Sequence, residues 1–295
     1  MRNVFVLFSL VALTSFQPAK APSTPYSAKD VDISTMIYEG KKYTCVTMNR
    51  ANNRVKAKYF AYKEGNQSVN DRFQKWRKGR SIILVTSGAY ENYLNKSIPE
   101  GLTIDNGVVV NEKPNSYGGL VIVYATGGIA VSSIKEQKVG ITCDNVQQQY
   151  DVNNALERQM FISCAQKMEA TTFQTHLLVY KDQLKVLDPD CTAHPTACYK
   201  RERRFLAVCK YNGELVHIIV NTSISDANTL YEGTKAVYNF LKKGREMDEV
   251  VFMINLDTGD QDVFDLFDQG GTKRTDIQGK KSCEDAANLL VYYYE

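Results

Sequence analysis

Residues 253–264 read MINLDTGDQDVF, an apolar strand pattern that runs directly into Asp257, Asp260 and Asp262. Burial stabilises such a run, so acids at its end sit where the chain leaves the core, a common location for chemistry. Two chemistries follow from these residue types alone. Asp257-Thr258-Gly259 is the tripeptide of an aspartic protease, whose reaction needs two carboxylates sharing one proton. The chain has one copy, lacks the Ser or Ala usual after the Gly, and is too long for the small dimeric type. Alternatively, Asp257, Asp260, Asp262, Asp265 and Asp268 could gather calcium, but the EF-hand template needs a ligand at its third place, where Gly259 stands. No cofactor is expected, and a looser site for a divalent cation such as calcium is left open. If 261–267 is a returning strand, its acids are expected to alternate outward into solvent.

The elements that position these residues can be read along the chain. At 295 residues, with 43% hydrophobic and 23% charged content, it can bury one sizeable core, and a single domain over residues 22–295 is expected. A formal charge of +3 and no dense Lys/Arg stripe argue for no nucleic-acid partner. Arg2, the apolar run Val4 to Phe16 and Ala19-Lys20-Ala21 read as a signal peptide over residues 1–21, which predicts a secreted or periplasmic protein. No other stretch approaches the roughly 20 apolar residues of a bilayer span, so no membrane span is expected.

Export permits disulfides, and seven cysteines give an odd count. Cys191 and Cys198, flanking CTAHPTAC, are the pair expected to bridge, ahead of a zinc knuckle with His194. The other cysteines read as small buried hydrophobes.

Lys42 to Met48 and Arg54 to Tyr62 read as a first strand pair, Asn70 to Trp76 as a short helix, and Ser81 to Val85 as a buried strand. Four hairpins follow: 102–110 around Asn106-Gly107, 120–132 around Gly127-Gly128, 176–187, and 204–220 around Asn212-Gly213. A helix over Asn154 to Met168 carries a stripe of Leu156, Met160, Phe161, Cys164 and Met168. A second, capped by Ser225 or Asp226, carries Leu230, Thr234, Val237, Tyr238 and Leu241, and Lys242-Lys243-Gly244 ends it. It joins strands 214–220 and 249–256 in a crossover that favours parallel pairing. Ser282 to Tyr294 reads as a last helix. The expected class is α+β: a large mixed, mostly antiparallel sheet rich in hairpins, with helices packed on it and one strand-helix-strand crossover.

SIILVTSGAYENYLNKSIPEGLTIDNGVVVNEKP, then FQTHLLVYKDQLKV, then RRFLAVCKYNGELVHIIVN, a helix and VVFMINLDTGDQDVF resembles, in order and spacing, the phosphodiester glycosidase family over about residues 80–268. The family's Asn-Gly-Gly-aromatic strand end corresponds to Ser87-Gly88-Ala89-Tyr90, with Ser87 in the place of Asn. Its Gly-Leu-hydrophobic-x-Asn-Gly hairpin matches Gly101 to Gly107, and its basic strand start corresponds to Arg204-Phe205-Leu206-Ala207. Its Asn-Leu-Asp-Gly-Gly-Gly-Ser corresponds to Asn255-Leu256-Asp257-Thr258-Gly259-Asp260, which keeps Asn, Leu, Asp and one Gly and makes the chain a divergent member.

The resemblance implies an exported hydrolase that cleaves a sugar from a sugar-1-phosphodiester, in polysaccharide or glycoconjugate metabolism. Its leaving group departs as a phosphate anion, so a strong general acid is less needed than in ordinary glycoside hydrolysis. Asp257 would serve as base or nucleophile at the anomeric carbon, and Arg204, with Arg203 in reserve, would grip the phosphate. Only one of the two arginines can face the site, because they alternate across a strand; a solvated ion pair with Glu202 is the plainer role for them. His176 is a candidate acid or phosphate contact, with a core histidine as the alternative. Gly88 and Gly259 would offer backbone N–H groups, and Ser87, Tyr90 and Asn255 would line the sugar site. The opposing class is an inactive sugar-phosphate or polysaccharide binding protein, favoured by Ser87 and by the extra acid Asp260, which repels phosphate unless a cation intervenes.

Overall fold

The computed structural model describes residues 29–92, 94–192, 198–222 and 228–295. The signal segment 1–21, His194 and the expected caps Ser225 and Asp226 lie outside them. The class is α+β as expected, but the strands form three main sheets rather than one large sheet, and every ladder among the described residues is antiparallel.

The first sheet has the order β1 (Val31–Tyr38), β2 (Lys41–Asn49), β15 (Glu214–Thr222), β14 (Arg204–Tyr211), β16 (Glu249–Leu256), β12 (Leu177–Tyr180), β13 (Gln183–Leu184). β15, α3 (Leu230–Asn239) and β16 make the expected crossover, and its two strands run the same way. They do not pair, because β14 lies between them and bonds antiparallel to each. Asn212 and Gly213, at φ of 51° and 79°, turn β14 directly back against β15, so β16 takes the edge of β14 that remains. α3 is capped by Thr229, whose hydroxyl accepts from the Glu232 N–H in a capping box, and it runs into a π-helical turn at Phe240–Gly244.

The second sheet has the order β18 (Lys273–Gln278), β17 (Phe264–Phe267), β4 (Ser81–Thr86), β19 (Leu289–Tyr294), β3 (Val55–Phe60). β3 therefore pairs with β19 and not with β2, which lies in the first sheet between β1 and β15. β19 also overturns the expected last helix. Its run LLVYYY sits between two strands with both faces covered: Leu290, Tyr292 and Tyr294 face the central core, and Leu289, Val291 and Tyr293 face α1 (Val69–Arg77). A strand buried on both sides is apolar at every position, which erases the alternation that marks a half-buried one.

The third sheet has the order β6 (Val108–Asn111), β5 (Thr103–Asp105), β11 (Thr171–Thr175), β7 (Gly119–Val123), β8 (Ile129–Ser133), and β9 (Val139–Cys143) with β10 (Val146–Tyr150) forms a separate hairpin. α2 (Ala155–Lys167) packs on this sheet through Phe161, Ile162 and Cys164. The expected stripe holds only in part, since Leu156, Met160 and Met168 are exposed.

The inner faces of all three sheets meet in one core, with Leu206 and Ile254 from the first, Leu84 and Tyr292 from the second, and Val121 and Phe173 from the third. Each helix covers the outer face of one sheet. Cys191 and Cys198 form the expected disulfide, and the other five cysteines are free and buried. Among the described residues no helix is long and apolar enough to cross a membrane.

His217 on β15 is buried in this core, its Nδ1 2.9 Å from the Tyr292 hydroxyl, and burial pulls its pKa down from 6.5 to about 3. The half-buried His176 is lowered likewise to about 4, first by burial and then by Lys135 and Arg203. The unfolded chain therefore binds protons in a window the native state refuses, so stability is full above pH 6.5 and falls as pH drops toward 4. A loss of roughly 3 kcal/mol per histidine is the expected scale. Urea midpoints at neutral pH and near pH 4.5 measure it, and His217→Gln should flatten the dependence.

Candidate active site

The first sheet passes its strands to one rim of the core, and there five segments converge on Asp257. β16 delivers Asn255 and then Asp257; the segment after β4 delivers Tyr90 and Glu91; the turn before β7 supplies Tyr117. His176 bridges β11 to β12, and Arg203 opens β14. The switch at His176 is pinned by Asn255, whose N–H donates to the His176 carbonyl at 3.2 Å and whose carbonyl accepts from the Thr175 hydroxyl at 2.7 Å.

Asp257 is 3% exposed. Its Oδ1 accepts from the Gly259 N–H at 2.8 Å, and its Oδ2 from the Glu91 N–H at 3.3 Å. Desolvation outweighs these bonds and holds its carboxyl above the ordinary aspartate value. Tyr90, Tyr117 and His176 wall the site as an aromatic cluster, with the His176 ring 4.0 Å from Tyr117 and 5.5 Å, edge-on, from Tyr90. The Tyr90 hydroxyl bonds the Asn255 amide nitrogen, while Asn255 Oδ1 is buried without a partner. Burial first, then Lys135 and Arg203, lower the His176 pKa to about 4, which favours the neutral imidazole at physiological pH.

The two arginines separate by strand parity. Even positions of β14, such as Leu206 and Val208, face the central core, and odd ones, such as Phe205 and Ala207, face α3. Arg204 accordingly points inward, fully buried, and contrary to expectation presents no fork to a phosphate. Its Nη2 pairs with Asp262 Oδ1 at 2.9 Å, its Nη1 donates to the Val263 carbonyl at 3.1 Å and its Nε to Asn221 Oδ1 at 3.2 Å, above the Phe264 ring. Glu202, the expected surface partner of the arginines, pairs instead with Lys280 at 3.2 Å. Arg203 donates to the Tyr199 and Asn228 carbonyls, has no carboxylate partner among the described residues, and acts electrostatically on both Tyr90 and His176.

Other expected contacts prove to be braces. Ser87 is fully buried, its hydroxyl donating to the Gln261 carbonyl and accepting from the Val263 N–H, which ties the end of β4 to the 257–263 loop. The N–H groups of Gly88 and Gly259 are not open to a ligand: the first donates to Asn288 Oδ1 at 2.9 Å, the second to Asp257. Gly88 is required by close packing, because a Cβ there would lie 2.9 Å from the Tyr59 ring and 3.1 Å from Asn288 Oδ1. Gly88→Ala is expected to destabilise by about 1–3 kcal/mol, read from urea unfolding.

The acids after the strand do not form the calcium cluster, nor do they all turn to solvent. Asp262 is buried on Arg204 and Asp265 on Lys273 at 2.6 Å, while the exposed Asp268 caps a turn at Thr272. Among the described residues no three His, Cys, Asp or Glu side chains gather as a metal would need. The exposed Asp260 is matched by Lys96 at 2.9 Å, which supplies a cation beside the extra acid.

Four residues of this region carry no signal of their own in the sequence. Glu91, whose carboxyl is raised by desolvation and bonded by Gln261, adds a second acid beside Asp257. Lys135 contributes positive potential at His176, Tyr117 anchors on Glu100 at 2.8 Å, and Asn288 fastens Gly88 and Ala89. Only Glu91 was within reach, as the residue after the Gly-x-aromatic block.

No protein-family model and no curated protein sequence matches the chain. Solved structures do. The zebrafish N-acetylglucosamine-1-phosphodiester alpha-N-acetylglucosaminidase catalytic domain, auto-inhibited by its pro-peptide, aligns over 93% of this chain and 86% of its own, with TM-score 0.50 and 13% identity. A hypothetical protein from Synechocystis aligns over 90% of this chain and 62% of its own, with TM-score 0.52 and 13% identity. At this identity the likeness is one of fold.

Proposed function

We propose that this chain is a divergent, exported phosphodiester glycosidase that releases a sugar from a sugar-1-phosphodiester at Asp257. The observation that carries the reading is a desolvated carboxylate at a strand end, within electrostatic reach of Tyr90 and Tyr117, whose rings cluster with His176, in a fold shared with a catalytic domain of that activity. Asp257 acts at the anomeric carbon as base or nucleophile, its oxygens held by two backbone N–H groups. The aromatic walls offer apolar faces to a sugar ring, and the unmet Asn255 Oδ1 is an acceptor for a hydroxyl. Arg203 and Lys135 supply positive potential for the departing phosphate in place of Arg204, which positions the 257–263 loop through Asp262. Glu91 is the second carboxyl, placed to hold or move a proton. The disulfide is compatible with an extracellular location.

The second reading, a sugar-phosphate or polysaccharide binding protein without turnover, draws on one feature: Arg204 and the Gly88 and Gly259 N–H groups are all bonded within the protein. The two are separated by sugar release from a synthetic sugar-1-phosphodiester. Release that vanishes in Asp257→Asn supports the enzyme; binding with no release, unaltered by that substitution, supports the binder. Arg203→Met is expected to raise KM by about tenfold with a smaller change in kcat, measured on the same substrate.

A further inference from the structure

A concavity of about 610 Å³, lined by none of the residues grouped around Asp257, lies between α1, the β9–β10 hairpin and the third sheet. That is the size range of small-molecule sites, about 300–1,000 Å³. Trp76, Ile122, Tyr124, Ile141 and Tyr293 give it an apolar, aromatic side, beside a polar side that includes Asn106, Thr142 and Gln147. Lys58 lines it as well, half-buried, with its ammonium 5.6 Å from the Phe60 ring centre and no carboxylate in ion-pair distance among the described residues.

The charges around Lys58 do not balance. Asp105 is the acid acting on it, and Arg72 already holds that acid at 2.9 Å; Arg72 and Arg80 add positive potential of their own. Of these charged groups Lys58 alone lines the cavity. Glu169 is the acid of the lining, and it is exposed at the rim. Burial pulls the Lys58 pKa down from 10.5, the direction expected of a cation lacking a counter-ion.

We propose that this cavity binds an organic anion with an apolar, ring-containing body, its acid group paired with Lys58 and its rings against Trp76 and Tyr293. Such a ligand supplies the missing counter-charge in a partly dry site, where an ion contact counts for more than on an open surface. An uncharged ligand of the same shape gains only the apolar walls.

The chain has one tryptophan, Trp76, so occupancy can be read from quenching of its emission. The probes are 8-anilinonaphthalene-1-sulfonate and N-phenyl-1-naphthylamine, which has the same rings without the sulfonate, titrated into the full chain. The sulfonate is expected to quench to saturation at one dye per chain. Lys58→Met should weaken it by about tenfold or more while leaving the neutral dye within about twofold. Ile122→Phe with Ile141→Phe narrows the cavity from two walls and should weaken both dyes; circular dichroism verifies its fold, and the Lys58→Met comparison stands without it. Sulfonate affinity indifferent to Lys58→Met, or no quenching of Trp76 by either dye, would overturn the proposal.

Discussion

Asp257→Asn is expected to reduce sugar release by about 10³-fold or more while the protein stays folded, with a thermal midpoint at pH 7 equal to or above that of the parent. The stability half follows from the sign of the shift. Desolvation raises the Asp257 carboxyl in the native state above its ordinary value of 3.8, so on raising pH the unfolded chain loses this proton first. The native state binds the extra proton in that window, and stability drops as pH rises through it. At neutral pH the charge is therefore a net cost to folding, accepted at a site that uses it. The amide removes the charge and keeps one acceptor, leaving one of the Glu91 and Gly259 N–H groups without its oxygen. Those two effects oppose each other, which sets the expectation at no loss rather than a large gain. Activity assays beside calorimetric melts check both halves, and a midpoint lowered by many degrees would mean that the carboxylate serves the fold.

Arg204→Met is expected to show the reverse pattern, a stability loss of about 3–5 kcal/mol. Arg204 and Asp262 are both essentially inaccessible, and Met can fill much of the arginine's volume but leaves the buried Asp262 with only the Lys280 N–H at 3.1 Å and the longer Lys280 ammonium contact at 3.9 Å. The Val263 carbonyl loses one of its two donors as well and keeps the Ser87 N–H. Because removing one partner strands the other, Arg204→Met with Asp262→Asn should recover a substantial part of the loss. Urea unfolding of the two single variants and the pair gives the coupling directly. Additive losses would show that the ion pair is not what holds the 257–263 loop against β4.

The contrast between these residues shows how far the sequence carries. The strand ending at Asp257 was legible because an apolar run stopping at acids has one physical explanation, emergence from a core. The hairpins at Asn106-Gly107 and Asn212-Gly213 were legible because both residues of each turn adopt positive φ. Asp144-Asn145 between β9 and β10 adopts the same positive φ pair without the glycine that marks the other two. Strand parity declared that Arg203 and Arg204 must diverge, but which of them faces the core depends on the sheets packed above and below β14. That information lies in Asp262 and Phe264, nearly sixty residues on. β19 failed for a related reason: burial on both faces leaves no periodicity, and Ser282 with Asp285 imitates a helix start where the structure has a single 3-10 turn at Cys283–Asp285. The braces Ser87 and Asn288 were hidden because a buried hydroxyl or amide is indistinguishable from a ligand contact until its partner is known.

The most direct measurement is a structure of Asp257→Asn soaked with a sugar-1-phosphodiester, which the variant should hold without cleaving. The expected result places the anomeric carbon against residue 257, the ring among Tyr90, Tyr117 and His176, and the phosphate toward Arg203 and Lys135. A sugar bound elsewhere, or no sugar beside residue 257 at concentrations that saturate the parent protein, would contradict the proposed site.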